Sequence, residues 1–174
     1  QRFPAIKLGG ESFMLWNFKK AALEYKPDII IAHSYRHPHT TRALKIGKKI
    51  GAKVFLVTHA PFDRGNERFW LARLAVSLYD TLIGRKTINN FDKVIAITNW
   101  ELPYLAKLGV GKNRIVYIPN GIRDEFFGRI ARKDKPLLIY TGRISPIKNI
   151  EVVLNALSIP GLEKINFEAY GSAE

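Results

Sequence analysis

Lys26-Pro27-Asp28-Ile29-Ile30-Ile31-Ala32-His33 and, further on, Lys53-Val54-Phe55-Leu56-Val57-Thr58-His59 are the stretches whose reading decides the fold. Each is a short apolar run, rich in Ile and Val, entered from charged residues and closed by a histidine. Continuous apolar runs of this length read as strands covered on both faces. Between them, residues 39–50 set Ala43, Leu44 and Ile50 opposite a basic face, and Gly51 is placed to end a helix. Strand, helix, strand predicts parallel pairing with a right-handed crossover. Working outward, Val94–Thr98, Ile115–Ile118, Leu137–Thr141 and Ile165–Tyr170 read as further strands beside Ile29–Ala32 and Lys53–Thr58. Helical spacing is read over residues 12–25, around Phe13, Trp16, Ala21 and Leu23. It is clearest over 66–88, where Leu71, Leu74, Ala75, Leu78 and Leu82 form a stripe. The predicted class is α/β, with a Rossmann-like parallel sheet.

Composition agrees with a packed core: 174 residues, 47% hydrophobic and 25% charged. The absence of cysteine excludes disulfides, thiolate metal sites and cysteine nucleophiles, and fits a reducing compartment. No apolar run approaches the roughly 18 residues a membrane-crossing helix needs, and no signal-peptide pattern opens the chain. The expected location is therefore cytoplasmic, with peripheral placement at a membrane surface left open. Gln1-Arg2-Phe3-Pro4 reads as the middle of a loop, so a fragment is expected.

Lys and Arg number 28 against 15 Asp and Glu, a net charge of +13. Between Asp28 and Asp63 there is no acid; that stretch carries Arg36, Arg42, Lys45, Lys48, Lys49 and Lys53, and all four histidines. A patch of one sign gathers anions. Nucleic acid, an anionic membrane surface and a phosphorylated small molecule all fit, as does a merely solvated basic helix face.

Thr98-Asn99-Trp100-Glu101 has the spacing of a capping box, although Pro103 then requires either a helix start nearer the proline or an irregular first turn. Pro119-Asn120-Gly121 is a turn signal. The charged residues after it, with few core candidates beyond Phe126 and Phe127, read as a linker up to Pro136. The expected organisation is an amino-terminal domain over residues 1–121, a hinge over 122–136, and the start of a second domain over 137–174, too short to make its own core.

There is no G-x-G-x-x-G, no G-x-x-x-x-G-K-[ST] and no G-x-S-x-G. His33, His37 and His39 lack a nearby acid or cysteine to complete a zinc shell, so no metal site is expected. The most pointed segment is Thr141-Gly142-Arg143-Ile144-Ser145-Pro146-Ile147-Lys148-Asn149, between a strand and a helix. In open parallel sheets ligands bind past the carboxyl ends of strands. Gly142 would admit a ligand to the backbone, Arg143 offers a planar fork to phosphate, Lys148 a movable charge, and Asn149 a cap for the next helix. Such a loop suits a diphosphate; solvated side chains are the alternative. His59 directly follows a strand, where an imidazole can bond a sugar hydroxyl or share charge in a transition state. His33 holds the equivalent place one crossover earlier.

Ile118-Pro119-Asn120-Gly121-Ile122, then Thr141-Gly142-Arg143 with Lys148 and Ile150–Leu157, resembles the retaining GT-B glycosyltransferases grouped as family 4. The two opening runs resemble that family's amino-domain strands in order. The resemblance implies part of a two-domain GT-B enzyme, truncated at both ends, of retaining hexosyltransferase type. It would move a sugar from a nucleotide-diphosphate sugar to a glycan or lipid-linked acceptor, with no cofactor and no required metal. It assigns the donor diphosphate to Arg143, Lys148 and Gly142, the catalytic histidine to His59, and the hinge turn at the cleft to Asn120 and Gly121; His33 is placed on the acceptor side. Peripheral contact with an anionic membrane would fit the basic patch, and no specific nucleic acid partner is expected. The chain departs from the family pattern in having Asn149 where Gly is usual, Arg123 where Asp is common, and Gly171-Ser172-Ala173 for the later Gly-x-Gly turn. Gly9-Gly10-Glu11 is not read as the family's opening loop, because no strand is expected before it. The sugar- and ribose-holding glutamates lie outside the sequence, so turnover by this chain alone is expected to be negligible. The Phe69-Trp70 pair is read as helix packing sooner than acceptor contact. The alternative function is a non-catalytic basic module for polyanions, whether nucleic acid or an anionic membrane surface.

Overall fold

The computed structural model describes residues 3–7, 14–59, 61–62, 70–128 and 136–172. The chain divides into two compact units, Gln1–Gly121 and Ile122–Glu174.

In the first unit four strands, β3 (Ile29–His33), β4 (Lys53–Val57), β5 (Lys93–Ala96) and β6 (Ile115–Tyr117), form one parallel sheet in the order β3-β4-β5-β6. The pairing is in step, Ile30 with Val54 and Leu56 with Val94, so the carboxyl ends of all four strands share one edge. Between β3 and β4 runs α2 (Pro38–Ile50), ended by Gly51 in the left-handed conformation, as its sequence predicts. The core gathers Val54, Leu56, Ile88, Phe91, Val94, Ala96 and Leu105. The central strands bury alternate residues most deeply, whereas edge strand β3 leaves Ile29 and Ile31 each 55% exposed, against the expectation of cover on both faces.

Three sequence expectations are corrected in this unit. The helix read over 12–25 is split: β2 (Met14–Trp16) pairs antiparallel with β1 (Ala5–Lys7), and α1 (Lys19–Tyr25) follows. Aromatic and apolar residues favour the extended pairing, and Lys26 turns left-handed before Pro27, which stops the helix. A strand, β1, does precede Gly9-Gly10-Glu11, which themselves lie outside the described residues. The third correction concerns the apolar stripe. The described helix runs as α3 (Trp70–Tyr79), a π-helical turn over Asp80–Gly84, and α4 (Arg85–Ile88). Leu71, Leu74, Leu78 and Leu82 on it are all exposed, while Asp80, Gly84 and Ile88 face inward. The inward face is chosen by an ion pair from Asp80 to Arg36, not by the leucines.

After β5, the chain makes a 3-10 turn over Asn99–Glu101 and then α5 (Leu102–Lys107), with Pro103 in the first α-helical turn. The capping box is formed, and the irregular first turn is how the chain accommodates the proline.

The second unit is a parallel pair, β7 (Leu137–Thr141) and β8 (Asn166–Tyr170), joined through α6 (Ile150–Leu157). None of its described residues is buried. Phe126 and Phe127, core candidates by sequence, sit in a 3-10 turn at 72% and 74% exposure. Residues 118–123 form irregular chain between β6 and that turn, in place of the tight turn the Pro-Asn-Gly sequence suggests.

Candidate functional site

The carboxyl edge of the four-stranded sheet collects the unusual chemistry of the first unit. His33 is the last residue of β3, and His59 lies two residues beyond β4. Because the strands are parallel and in register, the two imidazoles meet: His33 Nδ1 lies 2.8 Å from His59 Nε2, with ring centroids 5.1 Å apart. One of these nitrogens must carry the proton and the other a lone pair. Double protonation would place two N–H groups head to head and break the contact. His33 is held below the ordinary histidine range, first by burial and then by the charges of His59 and His39. His39 bonds the His33 carbonyl through Nε2 at 2.9 Å, and burial lowers its pKa as well as that of His37. No cluster of three metal-ligating side chains occurs among the described residues.

The backbone here is strained. Ser34, Arg36 and His59 all have positive φ, at 72°, 69° and 55°, a region that non-glycine residues enter at a cost of about 1 kcal/mol or more each. Two networks hold Arg36 and the strand end that leads into His59. Arg36 donates Nε–H and Nη2–H to the Asp80 carboxylate at 2.9 and 2.5 Å, and Nη1–H to the Pro61 carbonyl at 2.5 Å. Tyr35 donates its hydroxyl to the same carboxylate at 3.2 Å, and burial followed by the Asp80 charge pushes the Tyr35 pKa strongly upward. Arg36, read from sequence as part of an open basic patch, is thus neutralised within the fold.

The second network centres on Glu101, which is fully buried. Its carboxylate accepts the backbone N–H groups of Ile97 and Thr98, each at 2.9 Å, the Thr98 hydroxyl at 3.0 Å and the Thr58 hydroxyl. Four donors satisfy a carboxylate that has no cation beside it among the described residues. Thr58 immediately precedes His59, so the cap of α5 also fixes the strand end that presents the imidazole. Sequence reading found Glu101 only as a local cap and missed Asp80, Tyr35 and Thr58. A polar residue closing an apolar strand was the available signal for Thr58. Asp80 gave none, being one acid in a helix dominated by leucines.

In the second unit, Arg143 and Lys148 both lie exposed on the β7–α6 connection. The connection is shaped by its backbone. Gly142 has φ 151°, its N–H donates to the Tyr170 carbonyl at 3.0 Å, and the Ile144 N–H donates to the Ser172 carbonyl at 2.9 Å. A Cβ on Gly171 would lie 1.7 Å from the Gly142 carbonyl oxygen, so only glycine fits there. Tyr140 donates its hydroxyl to the Arg143 carbonyl at 2.6 Å. Asn149 precedes α6 but makes no side-chain cap; its φ of 49° is left-handed, which asparagine tolerates better than other non-glycine residues. Ser145 Oγ is buried with no hydrogen-bond partner among the described residues.

Asn120 and Gly121 are exposed at the boundary between the units, and no described residue within 4 Å would oppose a Cβ on Gly121. Phe69 lies outside the described residues, and Trp70 opens α3 at 62% exposure.

The model of Glycosyltransferase Family 4 matches residues 2–126. The chain belongs to glycosyltransferase family 4. The family match covers the histidine pair and both buried networks and ends before Arg143. Among solved structures, the fold is similar to that of the apo form of the lipopolysaccharide outer core galactosyltransferase WaaB, with a TM-score of 0.50 and 16% identity. The similarity covers 88% of this chain and 47% of that one, so this family 4 chain spans about half the length of that transferase. No curated protein matches the sequence. Among the described residues no helix is long and apolar enough to cross a membrane.

Proposed function

We propose that this chain is the acceptor-side portion, with the beginning of the donor side, of a retaining glycosyltransferase that moves a hexosyl group from a nucleoside-diphosphate sugar to a glycan or lipid-linked acceptor. The observation that carries the reading is the His33–His59 pair, held in strained backbone at the carboxyl edge of a parallel sheet in a family 4 chain. Ligands of open α/β sheets bind at that edge. His59 contacts the transferred sugar, and His33, bonded to it, lies toward the acceptor.

Arg143 and Lys148 take the donor diphosphate, with Gly142 leaving the backbone accessible. The partnerless Ser145 hydroxyl on the same connection supports a polar ligand there. Arginine supplies paired donors to two phosphate oxygens and lysine a point charge, together offsetting the charge that develops on a departing diphosphate. The chemistry needs no resident cofactor.

The test is a titration of the chain with UDP, GDP and ADP followed by amide NMR. The nucleoside diphosphates should bind and shift the resonances of residues 141–149, with affinity reduced at least tenfold by Arg143→Ala or Lys148→Ala. Binding that is unchanged by either substitution and weakens steeply with salt would replace the transferase reading with polyanion binding. Sugar transfer by the 174-residue chain should be negligible. Where sugar transfer is detected, the anomeric configuration of the product reports retention directly.

A further inference from the structure

The boundary between the units carries the one Asn-Gly pair in the sequence, Asn120-Gly121. Strand β6 ends at Tyr117, and the Ile118 N–H makes the last bond to the sheet, donating to the Ala96 carbonyl at 3.0 Å. Pro119 has no N–H to give. Among the described residues, neither the Asn120 carboxamide nor the main-chain N–H of Asn120 or Gly121 takes part in a hydrogen bond. Ile118 and Ile122 on either side are 50% and 64% exposed, so water reaches this stretch from both ends. No described residue within 4 Å stands where a Gly121 side chain would be.

Two other asparagines show the opposite arrangement. Asn89 donates its carboxamide N–H groups to the Arg85 and Leu108 carbonyls, each at 2.8 Å, and its carboxamide oxygen accepts from Arg114. Asn90 donates to the Lys86 carbonyl at 2.6 Å and accepts from Lys48. The main-chain N–H that follows each is engaged too, Asn90 with the Thr87 carbonyl at 3.0 Å and Phe91 with the Ile88 carbonyl at 3.4 Å. Both side chain and following amide are therefore tied down at Asn89 and Asn90, and both are loose at Asn120.

That difference matters because asparagine is chemically labile when the next main-chain nitrogen can reach its side chain. Glycine at the next position puts no Cβ in the way and leaves the backbone free to turn.

We propose that Asn120 is a site of spontaneous deamidation through Gly121. The Gly121 nitrogen, its proton taken by solvent base, bonds to Asn120 Cγ. The Cγ–Nδ2 bond breaks, and the nitrogen leaves as ammonia after taking a proton from water. The product is a five-membered succinimide. Water then adds to one of its two carbonyls. Opening at the side-chain carbonyl gives aspartate; opening at the main-chain carbonyl gives isoaspartate, whose chain runs on through Cβ and Cγ. Either outcome places a carboxylate at a neutral position, and isoaspartate lengthens the connection between the units by one methylene. The change is one-way, so this boundary records the age of the molecule. The inference is independent of the transferase reading, because the product is read by mass without sugar or nucleotide.

The experiment incubates the folded chain in mildly alkaline buffer, digests it briefly with trypsin, and follows residues 115–123 and 87–93 by mass spectrometry. Isoaspartate is reported by labelling with protein isoaspartyl methyltransferase. Residues 115–123 should deamidate and take the label, at a rate within about fivefold of the urea-unfolded chain, since no local structure has to open first. Residues 87–93 should remain intact in the folded chain. Gly121→Ala, with folding checked by circular dichroism, should slow the reaction about tenfold, because a Cβ hinders the attacking nitrogen.

A folded chain that reacts more than fivefold more slowly at 115–123 than in urea would overturn the inference, since the fold would then be protecting Asn120. Equal deamidation of 87–93 and 115–123 in the folded chain would remove its selectivity. Mass gain without isoaspartate label, or a rate unchanged by Gly121→Ala, would mean that the Gly121 nitrogen is not the nucleophile.

Discussion

The two units present their candidate ligand groups by different means. At the sheet edge of the first, side chains do the positioning: Asp80 holds Arg36 and Tyr35, and Glu101 holds Thr58 and Thr98, all against a buried core. In the second, no described residue is buried, and the loop bearing Arg143 and Lys148 is shaped by main-chain hydrogen bonds and by residues permissive of unusual φ. A site built on side-chain networks fails when one carboxylate is lost, because several donors are orphaned together. A site built on backbone conformation tolerates changes to its exposed side chains but not an added Cβ.

The strongest way to break this contrast is Asp80→Ala. It leaves the Arg36 guanidinium largely buried without its carboxylate and should cost about 3 kcal/mol of stability by urea denaturation. A loss below 1 kcal/mol would show that the network is not what orders this edge. Glu101→Ala comes next. Orphaning Thr58, Thr98 and the Ile97 amide should cost about 2 kcal/mol and disturb the His33 and His59 ring resonances, whereas Glu101→Gln should preserve part of both.

In the second unit, Gly171→Ala should speed amide exchange at Gly142 and Ile144, while the urea transition of the first unit stays put. A shift in that transition would mean that the units do not respond independently. Asn149→Gly should be neutral or stabilising by a few tenths of a kcal/mol, and Asn149→Val destabilising by about 1 kcal/mol, because only the latter resists the left-handed backbone.

The smallest effect is a pH dependence confined to the first unit. His33, His37 and His39 have folded-state pKa values below the ordinary 6.5. The unfolded chain therefore binds protons first as pH falls. Their effect is nil well above pH 6.5; below it, stability declines until the lowered folded values are passed. Thermal melts between neutral pH and pH 5 should show Tm falling, with a shallower slope in His33→Gln. A Tm that rises on acidification would contradict these shifts.

Much of the fold was legible in the sequence because strands covered by helices must be short, apolar and β-branched, and helices must stop at residues such as Gly51. The site was legible only in part. His33 and His59 could each be placed at a strand end, but their mutual contact depends on β3 and β4 pairing Ile30 with Val54 and His33 with Val57, a register no local pattern specifies. The leucine stripe on α3 misled for a related reason: periodicity identifies an amphipathic helix but not which face the tertiary structure turns inward. Here the inward face is the one that carries the half-buried Asp80, paired with Arg36, together with Gly84 and Ile88.

The sequence by itself determined the α/β alternation, the parallel strand direction, and the loop where Gly142, Arg143 and Lys148 stand, since these follow from local periodicity and turn chemistry. Only the tertiary structure decided that two imidazoles meet at hydrogen-bond distance and that Glu101 serves a strand end as well as a helix cap. Each of those relations joins residues far apart in the chain, and their energy exists only once the sheet has brought them together.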